Sequence, residues 1–350
     1  MIISIIINNY NYAHYLAQAI ESALAQSYDA VEVIVVDDGS TDDSRSIILS
    51  YGARVISIFK ANGGQASALN AGLARSQGDV VIFLDADDLL LPETAAHVQA
   101  AFCAQPDLAK VQYPMAVINE KGVHTGQVKP SAHLLLHSGD LRRQVLTFPF
   151  DIPWMATSGN AFSAQVLRQI FPIPEGVYGK AGADWYLAHL TPLFGPVLFL
   201  DEVGACYRVH QANHYEQAES TLNLAHMRQT IVYAHHTLIY LKQFAKKLDL
   251  MSAYNPRETL SVSDLANRLV LLRTAPADYP IRGDSVSKLL GLGMRAAWRR
   301  FDVSWLVRLM FSCWFIAVAL APILLVRHLA EPFFFPEKRA RLNHFLRVVR

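Results

Sequence analysis

Three aspartates, Asp85, Asp87 and Asp88, close an apolar run from Val80 to Leu84. Five apolar residues suit a fully buried parallel strand, and ligands of open α/β sheets collect beyond the carboxyl ends of such strands. On an extended chain Asp85 and Asp87 share one face. Carboxylates held that close repel one another unless a hard cation such as Mg²⁺ or Mn²⁺ lies between them, and such cations keep waters and bridge to substrate phosphates. The same residues also suit a capped helix start ahead of Pro92, with Asp87 or Asp88 as N-cap. A second apolar run, Val31 to Val36, ends in Asp37, Asp38, Gly39 and Ser40, so two strands deliver aspartates to one crevice. Asp38 can accept hydrogen bonds from a nucleobase N–H or from ribose hydroxyls. Gly39 permits a tight turn and Thr41 or Asp42 can cap the next helix, which is equally the composition of an ordinary loop.

The first run, Ile2 to Ile7, leads into Asn8, Asn9, Tyr10, Asn11 and Tyr12. A dinucleotide fold needs Gly-x-Gly-x-x-Gly at this place, so amides and phenols here disfavour NAD or FAD. Taken in order, Asn8 to Asn11, Asp37 to Ser40, Asn62 to Gly72 (Asn-Gly-Gly-Gln-Ala-Ser-Ala-Leu-Asn-Ala-Gly) and Asp85 to Asp88 resemble family-2 glycosyltransferases. The likeness continues through Gly182-Ala183-Asp184-Trp185 and Tyr207-Arg208-Val209-His210, over the first two thirds of the chain. It implies a GT-A fold and inverting transfer from a nucleoside-diphosphate sugar. It also implies that Asp87 ligates Mg²⁺ or Mn²⁺, that Asp85 makes ribose or second-sphere contacts, and that Asp38 reads the base with Asn8 and Tyr10 beside it. Asp184 falls at the family's catalytic base. That position often reads Glu-Asp, and here Ala183 stands in place of the Glu.

The residue types fit these roles and also plainer ones. Gly63 and Gly64 let backbone approach a donor closely, with Asn62, Gln65 and Asn70 as partners for its hydroxyls; Ala66, Ala68, Ala71 and Gly72 equally form a small-residue packing face. Asp184 sits at a helix start, where it can cap the helix, or, partly desolvated beside Trp185, act as a base. Trp154 and Trp185 offer flat faces to an acceptor sugar or fill the core, with Asn160 in an acceptor-side loop. Arg208 suits a diphosphate and His210 a metal. His214, His235 and His236 read as solvated or locally bonded.

The helices near Tyr15 to Ala25, Asp43 to Tyr51, Gln65 to Ser76 and Glu93 to Ala104 alternate with strands near Ile2 to Ile7, Val31 to Val36, Val55 to Phe59 and Val80 to Leu84. That is the pattern of a doubly wound α/β sheet. The sequence divides into a nucleotide-sugar-binding half (1–105), an acceptor-binding and catalytic-base half (106–215), a helical extension and proline-marked linker (216–280) and a basic, hydrophobic, membrane-associated segment (281–350). In the last, Leu309 to Val326 is 18 residues without a formal charge, about the minimum for a membrane span. Arg295, Arg299, Arg300 and Arg308 precede it, and Arg327, Lys338, Arg339, Arg341, Arg347 and Arg350 follow it. A single crossing would export one basic cluster, so an in-plane or re-entrant segment is favoured over a spanning one, with a buried helix of the soluble domain as the plainer alternative.

At 350 residues and 52% hydrophobic content the chain can bury a large core. A net charge of +1 argues against nucleic acid as a partner. Cys103, Cys206 and Cys313 are too dispersed for a disulfide framework or zinc site. With no export signal read at the N-terminus, the chain is expected at the cytoplasmic face of a membrane, transferring a sugar to a glycan or lipid-linked acceptor in cell-surface polysaccharide or glycoconjugate synthesis. The Gln-x-x-Arg-Trp signature of processive synthases is absent from the sequence, which favours addition of a single sugar. A nucleotidyltransferase and a non-catalytic membrane-bound scaffold are the alternatives.

Overall fold

The computed structural model describes residues 1–131, 134, 136–179, 182–210, 221–251, 259–335 and 338. His214, Pro256 and the basic residues from Arg339 onward lie outside them. The chain forms two compact units, the first from Met1–Arg142 with Pro153–Glu216, the second from Arg143–Ile152 with Gln217–Arg350.

In the first unit, β1 (Ile3–Asn9), β2 (Val31–Asp37), β3 (Ile56–Phe59) and β4 (Val80–Asp85) are parallel neighbours in the order β4-β1-β2-β3. Between them run α1 (Ala13–Leu24), α2 (Ser44–Ser50) and α3 (Gln65–Arg75). Ile3, Ile5, Ile6 and Ile7 are all fully buried, as a strand covered on both faces requires. The inner face of α1 is Leu16, Ala19, Ile20 and Ala23, recurring at three and four residues. Helix α3 lies close to the sheet at Gly72, where a Cβ would stand 2.3 Å from Ile6 Cγ2.

After β5 (Leu89–Leu90) and α4 (Thr94–Ala104) the chain adds β6 (Lys110–Gln112), β7 (Met115–Asn119) and β8 (His124–Lys129). Beyond α5 (Arg142–Thr147), which passes into the second unit, come β9 (Asn160–Ser163), α6 (Ala164–Ile170), α7 (Glu175–Tyr178), α8 (Ala183–Leu190), β10 (Val197–Phe199) and β11 (Ala205–Val209). The main sheet has the order β10-β6-β9-β4-β1-β2-β3, and a smaller one the order β5-β11-β7-β8. One expectation is corrected here. The main sheet is mixed rather than purely doubly wound, because β9 runs antiparallel to both β4 and β6. Strands β6, β9 and β10 extend the same surface as β1 to β4, so the sheet draws on sequence from both sides of residue 105.

The second unit is helical: α9 (Leu224–Lys247), α10 (Val262–Thr274), α11 (Val286–Arg299), α12 (Trp305–Leu320) and α13 (Ile323–Phe334). Its core joins Leu265, Leu269, Leu289, Phe315, Val318 and Val326. The stretch expected to be a linker contains α10, whose Val262, Leu265, Ala266 and Leu269 are buried. The uncharged run from Leu309 to Val326 is not one helix: it breaks at Ala321 and Pro322, where proline cannot continue the hydrogen-bond ladder. Among the described residues no helix is long and apolar enough to cross a membrane.

Candidate active site

In the first unit a cavity of about 410 Å³ opens beyond the ends of β1, β2 and β4. Its wall includes Asn8, Tyr10, Asp38, Asn62, Gln65, Asp85, Asp87 and Asp184.

The loop after β1 and the loop after β2 are stitched together by short polar side chains. Asn9 Nδ2 donates to Asp37 Oδ1 (2.9 Å) and Ser40 Oγ (3.1 Å). Ser40 Oγ accepts the Asn11 N–H at 2.9 Å, and Asn11 Oδ1 accepts the Thr41 N–H at 2.8 Å. Asn11 takes φ +58°, a left-handed conformation that asparagine tolerates better than most residues. Asn8 and Tyr10 are thereby presented to the cavity.

Asp38, expected to read the base, lines the cavity and is also tied into the protein. It is 2% exposed, and its carboxylate accepts bonds from Lys60 Nζ (2.6 Å), Gly63 N–H (3.0 Å) and Gly64 N–H (2.6 Å). Both oxygens are engaged by protein, so Asp38 holds the loop that leads into α3. The fit is close: a Cβ on Gly39, which has φ +77°, would lie 2.7 Å from Asn62 N. Gly64, with φ +84°, then turns the chain into α3.

The acidic motif is a turn rather than a strand continuation. Strand β4 stops at Asp85, and the Asp88 N–H donates to Asp85 O at 3.0 Å, so strand alternation does not set the direction of Asp87. Asp85 accepts from Asn8 Nδ2 (3.0 Å) and Gln65 Nε2 (3.2 Å). Burial, and then the neighbouring Asp87 charge, push the Asp85 carboxyl up to about 7. Burial and the same neighbour also hold Asp88 well above the usual carboxylate range. Asp87 Oδ2 lies 2.9 Å from His210 Nε2, and Tyr12 edges the imidazole with ring centroids 5.7 Å apart.

Arg208 does not reach into the cavity as expected. It is fully buried; Nε donates to Asp87 O (2.7 Å), Nη1 to Glu120 O (3.2 Å) and Nη2 to Gln18 Oε1 (2.8 Å), while its own N–H donates to Asp88 Oδ1 (2.9 Å). It therefore fixes the acidic turn from behind. Alternation along β11 explains the difference: Arg208 and His210 share one face, and Tyr207, on the other, lines the cavity.

Asp184 occupies the first turn of α8, entered through Gly182 at φ 144°. Its Oδ1 accepts the Trp185 N–H at 2.7 Å, and burial raises its carboxyl above the usual range. Gln65 links both sides of the cavity, donating to Asp85 while its Oε1 accepts the Gly182 N–H at 3.4 Å. Asp184 thus shares the cavity wall with Asp85, Asp87 and Asp88.

Four residues expected to bind donor or acceptor are not on the cavity wall. Asn70 exchanges hydrogen bonds with the Ile173 backbone (3.0 and 2.8 Å) and so anchors α3. Asn160 is buried, with Nδ2 donating to the carbonyls of Met155 (3.2 Å) and Ala156 (2.6 Å). Trp154 lies beneath Lys110 Nζ at 4.2 Å, and Trp185 packs on His189 at 4.7 Å between centroids. None of the four lines the cavity, whereas Asp88 of the acidic motif does, together with Asn9, Tyr12, Thr157 and Tyr207, to which the sequence assigns no role. Tyr12 and Asn9 belonged to the same amide-and-phenol run as Asn8 and Tyr10, and that composition was their signal. Lys60 carried none.

Among the described residues, no three His, Cys, Asp or Glu side chains are grouped so as to hold a metal by themselves. The donor chemistry suits a hard cation that takes the rest of its ligands from water and phosphate: Asp87 and His210 are in reach of each other, with the Asp85 carboxylate beside them on the same turn.

The model of glycosyl transferase family 2 matches residues 4–171. A glycosyltransferase of Nostoc sp. (strain PCC 7120) is 38% identical over 224 residues, which cover 63% of this chain and 68% of that protein. Glycosyltransferase GlyA of Streptococcus pneumoniae serotype 4 is 37% identical over 230 residues, 60% of this chain but 31% of that longer protein. In fold, the chain is similar to S. aureus TarS 1-349 in complex with UDP-GlcNAc, with a TM-score of 0.54 and 18% identity over 95% of this chain and 91% of that one. The chain belongs to glycosyltransferase family 2 and is a glycosyltransferase.

Proposed function

We propose that the protein moves a sugar from a nucleoside-diphosphate donor to a hydroxyl of a glycan or lipid-linked acceptor, with inversion at the anomeric carbon, in cell-surface polysaccharide or glycoconjugate synthesis. The observation that carries this reading is the cavity itself, which sets Asp184 against Asp85, Asp87 and Asp88 with amides between them. Asn8, Tyr10, Asn62 and Gln65 supply the hydrogen-bonding wall for the donor, and Asp38 keeps the Asn62 to Gln65 segment in place. Asp87 and His210 would hold Mg²⁺ or Mn²⁺, which when bound offsets the charge on the departing diphosphate.

Asp184, its proton affinity raised by burial, takes the proton from the acceptor hydroxyl. The acceptor oxygen bonds to the anomeric carbon as the bond from that carbon to the diphosphate oxygen breaks, and the electron pair leaves with the nucleoside diphosphate. Gln65, bonded both to Asp85 and to the residue that opens α8, fixes the spacing of donor and base.

TarS is a neighbour in fold with UDP and UDP-GlcNAc complexes, so uridine donors head the panel to be tested. Thermal protection and donor hydrolysis across nucleotide sugars, each with Mg²⁺, Mn²⁺ or chelator, test the donor assignment. Metal-linked protection by one donor class is the expected result; protection by none would remove the reading. NMR of the early product should show the anomeric configuration opposite to that of the donor, and retention would refute a single displacement.

A further inference from the structure

We infer that α12 and α13 dock the protein in the plane of an anionic lipid bilayer. The residues of α12 that face solvent are Trp305, Leu306, Leu309, Met310, Cys313, Ile316 and Leu320, and not one of them is charged. Met310 is 66% exposed and Leu320 76%. Past the break at Pro322 the apolar surface continues through Ile323, Leu324 and Leu325, with Leu324 82% exposed. The opposite side of the same helices, through Phe315, Val318, Val326 and Ala330, belongs to the core. A surface helix in water carries polar residues on its outer face, and soluble monomers rarely leave so long an apolar strip uncovered.

Charge selects the occupant. Between residues 281 and 335 there are seven Lys or Arg and three Asp or Glu, although the whole chain has a net charge of +1. All three acids are already paired, Asp284 with Arg268 and Lys288, Asp302 with Arg300 and Glu331 with Lys338. Arg295 and Arg299 are exposed on α11 on either side of the exposed Trp298, and Arg327 is exposed on α13. A symmetric dimer through this face would bring like-charged surfaces together. Anionic headgroups gain from the same basic residues, tryptophans are favoured at the headgroup level, and the leucines enter the acyl boundary. Helices of 16 and 12 residues meeting at a proline are too short to cross and suited to lying flat. The anionic leaflet facing the cytoplasm, where nucleotide sugars are made, is the matching surface.

Vesicle binding does not depend on sugar transfer, so its failure and failure of the donor assignment are separate results. The full chain is sedimented with vesicles of phosphatidylcholine alone and of phosphatidylcholine mixed with phosphatidylglycerol. Binding to the mixed vesicles should exceed binding to neutral ones by at least about tenfold at low salt, and this preference should shrink as salt rises. Leu320→Glu with Leu324→Glu should lower the binding by at least about tenfold. Both leucines are exposed, so circular dichroism and the melting temperature should stay those of the parent. Binding that is equal on neutral and anionic vesicles, or unchanged in the double variant, overturns the inference. So does a concentration-dependent dimer, seen by light scattering, that binds no vesicles and is lost in the double variant.

Discussion

Arg208→Lys separates a residue that positions the acidic turn from one that binds donor. The parent guanidinium is buried and makes three hydrogen bonds to Asp87 O, Glu120 O and Gln18 Oε1, besides lying 4.7 Å from the Tyr15 ring centroid. An ammonium keeps the charge but has neither the reach nor the fork to serve all three acceptors. If it keeps one, two charge-assisted bonds are lost at about 1.5–3 kcal/mol each, a total of about 3–6 kcal/mol. For a unit of about 200 residues this is a fall in melting temperature of about 6–24 °C. Because Asp87 and Asp88 are held by the same side chain and its backbone, turnover should fall with stability. Melting curves and donor kinetics on the full chain give both quantities. A melting temperature within about 2 °C of the parent, with a donor KM raised tenfold, would refute the positioning role and return Arg208 to the diphosphate.

Asp184→Asn should leave donor protection intact and slow transfer by at least about a hundredfold, the lower end for a lost general base. Since burial raises the Asp184 carboxyl, the parent's kcat should fall on acidification through a pKa above the ordinary carboxylate value, and that limb should vanish in the variant. Asp87→Asn should abolish the difference between metal and chelator in donor protection while the fold, followed by circular dichroism, is kept. Lys110 is fully buried with Nζ against Trp154, and burial pushes its amine down to about 7. The unfolded chain keeps that proton up to about 10.4, so between these values the unfolded state binds more protons and stability rises with pH. Lys110→Met should flatten this rise in denaturation series across the window; an unchanged slope would show that Lys110 is not its source.

The strands of the nucleotide side were legible because each is a short apolar run ending in residues that cannot be buried cheaply. Ile3 to Ile7 and Val80 to Leu84 had to be central strands, and whatever followed them had to meet solvent or a ligand. The antiparallel β9 was not legible, for Asn160 to Ser163 is too short to carry a period and its direction is set by pairing with β4 and β6. Helix α10 is legible in Val262, Leu265, Ala266 and Leu269, which recur at three and four residues, although the prolines around it have the composition of a linker.

Within the site, residue type identified the neighbourhood better than the contact. Asn8 lines the cavity and Asn160 lies behind it, although both are amides beside aspartate- or serine-rich turns. An amide carries donor and acceptor together, the same pair that a backbone offers, so it serves a loop as readily as a sugar hydroxyl. Asp38 and Arg208 extend the point to charged groups. Each is buried, and a buried charge must be compensated whether or not a ligand is present. Asp38 finds Lys60 and two glycine N–H groups, and Arg208 finds two carbonyls and an amide oxygen. Asp85 and Asp88, by contrast, are held above the usual carboxylate range by burial and then by the neighbouring Asp87 charge. That asymmetry divides the charges of the site: those paired within the protein hold its shape, and the acids at the end of β4 are the ones to which the proposed function gives a cation and a diphosphate.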